Sequence, residues 1–446
     1  MKNSAISIGK RIILTGLLAS LAGCSGGGWF GDSEAPPLPG ERISILALEQ
    51  TLEPDEALSD VTVRLPEPYV NENWPQAEGN ASHALHHLTL EGGLEEVWRA
   101  SVGEGSDDEN RLMAKPVIAD GRVFVMDAES YVTAFDQQSG ERLWRVSLTP
   151  RTEEKGSVGG GLALEYGRLF ATTSYGDVWS LDPVSGGSYW KKSLKVPLRA
   201  APTVAEDTVF AVTYDSRLYA LDVLTGDINW DFEGGLEITG LLGAASPAVD
   251  GGTVLVPFSS GEVFALRTDN GEQAWSDQLQ RKRRSSSLTS LTDINGSPVI
   301  DRGIAIAASF SGHMVGIDVR TGERKWDQEL ATLQTPWVAG DFVYVITTDG
   351  ELVCLTRQSG RIRWVRPLGK YDDIEDKRDL IVWSGPILAS DRLILLSNYG
   401  IGVAVSPYDG KILGKIELSD TASLAPVVAG GMLFILTDDA ELVAYR

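Results

Sequence analysis

Pro116-Val-Ile-Ala-Asp-Gly-Arg-Val-Phe-Val-Met-Asp-Ala-Glu-Ser-Tyr-Val-Thr-Ala-Phe-Asp-Gln-Gln-Ser-Gly-Glu-Arg-Leu-Trp144 decides the fold of this 446-residue chain. Runs of Val, Ile, Phe and Tyr alternate with Asp-Gly, Ala-Glu-Ser and Gln-Gln-Ser-Gly. Such breaks supply the backbone angles of tight hairpin turns, so the stretch reads as strands joined by turns. The same spacing returns along the chain. Pro116, Pro202, Pro247, Pro298, Pro336 and Pro386 are followed at one fixed distance by Trp144, Trp230, Trp275, Trp326, Trp364 and, out of pattern, Gly414. Another copy starts at Leu162 and reaches Trp190, and a last one starts at Pro426 and meets the end of the sequence at Arg446. Constant internal spacing with variable gaps marks stacked supersecondary units.

Two further slots repeat. Four residues before each Trp position stands a glycine: Gly140, Gly186, Gly226, Gly271, Gly322, Gly360 and Gly410. Ten residues before it stand Ala134, Ser180, Ala220, Ala265, Gly316, Cys354, Ala404 and, in the last copy, Ala444, all small. A small side chain gives a large indole a flat neighbour, and the glycine fits a turn of positive φ. Cys354 occupies the small slot, which favours packing over a reactive thiol. The repeats show no sustained helical period, and strands such as Val343 to Ile346 are apolar at successive positions, as when covered on both faces. The fold class is all-β, a propeller of eight blades. The last copy holds three strands only. The segment around Trp98, residues 94–102, reads as an outer strand with its own Trp and is expected to pair with 441–446, closing the ring and sparing it an open edge.

The motif Ala134-x-Asp136-x-x-x-Gly140-x-x-x-Trp144 resembles the tryptophan-docking motif of quinoprotein-type propeller repeats, over residues 94–446. That resemblance raises an enzyme as one reading, a quinone-dependent dehydrogenase-like periplasmic protein. The chain has no adjacent Cys pair and no Cys-x-x-Cys-His. The acidic clusters at Asp107 to Glu109 and at Asp372, Asp373, Glu375 and Asp376 fall between repeats, where solvated loops are the plain expectation. The sequence therefore points to no catalytic residue, no metal site and no cofactor.

The first 23 residues read as a signal peptide: Lys2, Lys10 and Arg11, then the apolar run from Ile12 to Leu21, too short to span a bilayer as a helix. Leu21-Ala22-Gly23-Cys24 matches the bacterial lipoprotein box, which implies lipidation at Cys24 and anchorage without a span. Ser25 after the Cys favours the outer membrane, periplasmic face. Residues 24–93 read as lipidated Cys plus flexible tether, rich in Gly and Pro. The segment from Leu58 to Trp74 is also open to lying along the propeller, and His83, His86 and His87 read as solvated linker residues. The formal net charge of −23 disfavours nucleic acid as a partner.

Lipobox, tether and quinoprotein-like ring together are similar to the BamB family, lipoproteins of the outer-membrane β-barrel assembly machinery. The resemblance implies a non-catalytic scaffold that binds periplasmic domains of the barrel subunit BamA, joins the other assembly subunits, and aids insertion of unfolded outer-membrane proteins. A lipid-anchored surface-binding propeller uses the same fold and stays open. The matching contact loops are the connections 231–246 and 276–297. They offer Leu241, Leu242, Asp293 and Asn295, with Leu242 where the family carries Arg and Asn295 where it carries an acid. Core packing of Leu241 and Leu242 is the competing reading. For the basic run from Arg281 to Arg284 it is a solvated loop, and the connection 365–385 stands as a further contact or a solvated excursion.

Overall fold

In the computed structural model, each Trp slot sits on the last of four antiparallel strands, opposite the small slot on the third. The structure describes residues 52–153, 158–235, 245–279, 294–373 and 375–446. Among them are eight four-stranded sheets, and residues 49–446 form one compact unit. The first seven sheets run in chain order within residues 117–147, 160–193, 203–233, 248–278, 299–328, 337–367 and 383–417. The eighth holds Val427–Ala429, Met432–Leu436 and Glu441–Tyr445, and its outer strand is Glu96–Ser101. The ring is closed as the three-strand last repeat requires: Trp98 faces Ala444 in the ladder, and Glu95 and Arg446 exchange backbone hydrogen bonds at 2.8 and 2.9 Å.

Ala134, Ser180, Ala220, Ala265, Gly316 and Cys354 face their Trp directly across the ladder. At Gly316 a Cβ would come within 2.2 Å of the Trp326 ring, so size decides this slot. Cys354 is fully buried, and burial pushes its thiol pKa up, as expected of a packing residue. The glycines do more than turn the chain. Gly226, at φ +73°, lies beneath Trp190 of the preceding blade, and a Cβ there would approach the ring to 2.6 Å. The same relation joins Gly140 to Trp98, Gly186 to Trp144, Gly271 to Trp230, Gly322 to Trp275, Gly360 to Trp326 and Gly410 to Trp364. Each indole also donates Nε1–H to a carbonyl of that next blade, as Trp98 does to Gln137 at 3.0 Å and Trp190 to Val223 at 3.0 Å. The turns are stiffened by Asp182 and Asp222, whose carboxylates accept the N–H groups two and three residues ahead, holding both acids below their ordinary pKa.

One joint lacks its indole. The seventh blade carries Gly414 in the Trp slot. The eighth blade has no tight turn to receive an indole, because its third and outer strands come from opposite ends of the described chain.

Residues 52–93 depart from the expected flexible tether. From Asn71 to Glu91 the chain makes one circuit of the ring, touching every blade near the first hairpin turn. Gly430 donates to the Asn71 carbonyl at 2.8 Å, and Trp74 and Ile118 exchange backbone bonds at 2.7 and 2.8 Å. Leu164 donates to Pro75, Val249 to Ala81, Ile300 to Ser82 and Ser390 to Leu88, at 2.6–2.9 Å. Gln76 exchanges side-chain bonds with both backbone groups of Val204, Trp337 donates its indole N–H to the His86 carbonyl at 2.7 Å, and Glu91 donates to Gly431. Trp74, Gln76, His83, Leu85, His87, Leu88 and Leu90 are buried. The histidines are therefore structural, contrary to the solvated-linker expectation. The His83 ring lies 2.6 Å from the Pro298 carbonyl, and His87 bonds Pro66 through Nδ1 while its Nε2 accepts the Asp391 N–H.

Candidate functional site

Beside the circuit, a cavity of about 160 Å³ lies on the axis of the ring. Its walls come from residues just ahead of the inner strands: Lys115, Arg199, Ser246, Asn295, Ser297 and Thr335. Ala77 and Glu78 of the circuit complete it. Glu78 is tied to Lys115 Nζ at 2.8 Å through both oxygens, and the Ser297 hydroxyl reaches it at 3.4 Å. The Arg199 guanidinium stacks over Tyr214 at 3.9 Å. A carboxylate neutralised in this way is a poor cation ligand. Among the described residues, no group of His, Cys, Asp or Glu is arranged to hold a metal ion. The described axial residues therefore do not fit a carboxylate-bound cation and the quinone it would serve.

Of the four residues expected at the partner contact, Asn295 alone falls among the described residues, where it lines the axial cavity rather than a loop tip. Leu241, Leu242 and Asp293 lie outside the described residues, as do Cys24 and the basic run 281–284. The acidic clusters are resolved into local roles. Asp107 accepts the N–H groups of Glu109 and Asn110, and its carboxyl is held below the ordinary range by the Asn110 side chain and backbone. Asp372 and Asp373 belong to a short hairpin, Tyr371–Asp373 with Arg378–Leu380, and Asp376 pairs with Arg378 at 3.0 Å. Near that hairpin, Leu380, Val382, Tyr399 and Ile401 are exposed, and Asn398 clips the two segments together through Leu380 and Val382. Among the described residues no helix is long and apolar enough to cross a membrane.

The sequence reading missed the buried charge cluster between the circuit and the fifth and sixth blades. The Asp301 carboxylate meets His86 Nε2 and is charge-paired with Arg357 Nη1, both at 3.3 Å, Arg357 Nη1 also donates to the Asp301 backbone carbonyl at 3.2 Å, and Asp301 and Arg357 are almost fully buried. Burial works to raise the Asp301 pKa, but His86 and then Arg357 outweigh it and hold the acid below its ordinary value. Asp250 holds the Asp301 place in the fourth repeat, but Arg357 has no counterpart in another repeat and His86 lies outside the repeats, so repetition gave no signal for the cluster.

The sequence profile of the family described as "Outer membrane protein assembly factor BamB" matches residues 81–147 and 128–366. A protein of Yersinia pestis bearing that description is 23% identical over 245 residues, 55% of this chain and 60% of the relative, so the chain spans about three fifths of that relative's length. The crystal structure of BamB from Moraxella catarrhalis superposes with a TM-score of 0.67 at 21% identity, covering 79% of this chain and 100% of that one. A europium-containing methanol dehydrogenase gives 0.65 at 16% identity, covering 82% and 89%, which is a likeness of fold alone. With the profile aligned across more than half of its length, over the blades whose indoles dock on the next blade's glycine, the chain belongs to the outer membrane protein assembly factor BamB family.

Proposed function

We propose that the protein is a non-catalytic scaffold of outer-membrane protein assembly, held by a lipid on Cys24 at the periplasmic face of the outer membrane. It binds the periplasmic domains of the barrel subunit BamA and helps bring unfolded outer-membrane proteins to it. Family membership is the observation that carries this reading. The chemistry of the axis supports it, since Glu78, the one acid among the described residues that line the cavity, is tied to Lys115. Binding is then a matter of surface, through connections between blades and through strand edges. The connections 231–246 and 276–297, with Leu241, Leu242, Asp293 and Asn295, are the proposed contact with the barrel subunit. Affinity purification from detergent-solubilised outer membrane tests the reading. Barrel-assembly subunits should be recovered with the wild-type chain, and replacing Leu241, Leu242 and Asp293 together should weaken recovery without unfolding the ring. Recovery of no assembly subunit, or a quinone absorbance in the purified protein, would overturn it.

A further inference from the structure

Before the circuit begins, residues 52–63 lie against the outer strand of the sixth blade, Ile362–Pro367. Asp55 N–H donates to the Ile362 carbonyl at 2.8 Å, and Arg361 Nε holds the Asp55 carboxylate at 2.6 Å. Arg363 Nε donates to the Val61 carbonyl at 2.7 Å. Leu52 packs on the cluster of Trp326 and Ile362, and Val63 joins that of Trp364. The burial of the strand records this cover. Ile362 is 6% exposed, whereas Ile228 and Ile412, also two residues before the Trp slot of their blades, are 39% and 47% exposed.

Cover and strand are complementary in charge. Residues 52–63 carry Glu53, Asp55, Glu56 and Asp60 and no Lys or Arg. Beneath them stand Arg361, Arg363 and Arg366, with no acid between Arg357 and Lys370. The combination is peculiar to this blade. The third and seventh blades share the Ile but carry Asp231, Glu233 or Glu417 in the strand, and the first and second place Arg142 or Ser188 in the Ile position.

The hold is light. Leu58 and Val63 are buried, but residues 59–62 between them are exposed. The Asp55 and Arg361 side chains are 31% and 45% exposed, so water and salt screen their attraction. Residues 71–91, by contrast, are bonded to one blade after another. A segment with few buried apolar contacts opens at a small fraction of the cost of global unfolding.

We infer that the outer strand of the sixth blade is a binding strip for acidic, extended polypeptide, and that residues 52–63 are its resident occupant, able to leave while the ring stays folded. The ligand chemistry is that of the occupant: a carboxylate for Arg361, a backbone carbonyl for Arg363, and aliphatic side chains against the clusters of Ile362 and Trp364. A segment of another chain with this chemistry competes with a covalently attached rival, whose effective concentration is about millimolar. The strip is therefore closed to weak ligands until residues 52–63 release it. The inference is independent of the scaffold reading above.

The test uses the full chain and a fluorescent peptide with the sequence of residues 52–65. In the chain, Asp55→Arg with Leu58→Ser sets two cations together and removes a buried anchor, leaving the strip unaltered. Hydrogen exchange should then rise in residues 52–63 and stay slow in Phe342–Ile346, an inner strand of the same blade. The peptide should bind this opened chain at least about tenfold more tightly than the wild type. A peptide carrying Asp55→Arg should bind it about fivefold more weakly, and adding Arg361→Asp to the chain should restore that binding. Equal binding to both chains, binding to neither, or indifference to the charge reversals would overturn the strip. In the wild-type chain, raising salt from about 50 to about 500 mM should speed exchange in residues 52–63 alone. Exchange there only in step with Phe342–Ile346 would show these residues to be part of the ring fold, and would overturn the release whether or not the opened variant folds.

Discussion

Gly226 and Gly303 have nearly the same backbone, φ +73° and +76°, but a Cβ on Gly226 would strike the Trp190 ring while one on Gly303 meets nothing within 4 Å. The pair separates two costs that a conserved-looking turn glycine merges. Gly303→Ala should cost only the left-handed backbone term, about 1–2 kcal/mol. Gly226→Ala should lose about 1–3 kcal/mol more by overpacking the joint. Denaturant midpoints of the two variants, with unchanged slopes, check this, and equal losses would mean that the indole yields freely. The spacing from small residue to glycine to Trp was legible in the sequence, and so was the pairing of the small residue with the indole across the ladder. The partner of the glycine was not. Spacing within a repeat describes one blade, while the indole that covers Gly226 belongs to the blade before it.

The circuit of residues 71–91 was the element that composition disguised. It read as part of the Gly- and Pro-rich tether that precedes it, because its successive contacts go to different blades and leave no period in the sequence. The only trace was its apolar content, with Trp74, Leu85, Leu88 and Leu90 in a segment that a solvated linker would leave polar. His83 gives this element a measurable signature. Burial lowers its pKa, with Lys115 adding slightly, against the opposing pull of Glu78 and the Pro298 carbonyl. The unfolded chain takes up a proton near pH 6.5 and the folded chain only at lower pH, so the unfolded state gains as pH falls through about 6.5. Stability should be unaffected by this group above that pH and decline below it, by up to about 1.4 kcal/mol per pH unit until the folded form also titrates. Asn at position 83 tolerates the positive φ of 64° and can donate to the same carbonyl, without titrating. Urea midpoints measured from pH 7 to pH 5 should therefore fall less steeply for His83→Asn than for the wild type. Parallel curves would show that the histidine is not buried as described.

At the scale of the whole ring, the number of blades and the manner of closure could be read from the last repeat, which has three strands and a spare outer strand far upstream. The binding face could not, because the connections that vary between repeats carry no repeated signal. Closure makes a sharper claim about energetics. Repeat arrays with free ends fray from those ends, so an opened ring loses stability at every blade, not only at the break. The strand Glu96–Ser101 holds the joint between the eighth and first blades: Trp98 covers Gly140 and bonds Gln137, and Arg99 pairs with Glu441 at 2.9 Å. No turn links this strand to Glu441–Tyr445, so its release is opposed by those contacts and by the Glu95–Arg446 backbone pair. Trp190→Ala removes an equivalent indole from a blade whose strands are continuous in the chain. Both substitutions should cost about 3–5 kcal/mol, as large-to-small changes of a packed aromatic do. Trp98→Ala should be the worse of the two and should speed hydrogen exchange in Thr253–Pro257, on the far side of the ring. Deleting residues 94–102 should lower the melting temperature of the entire propeller in one transition. A wild-type melting temperature in that deletion, or exchange confined to the eighth and first blades, would mean that the circuit of residues 71–91 alone suffices to keep the ring closed.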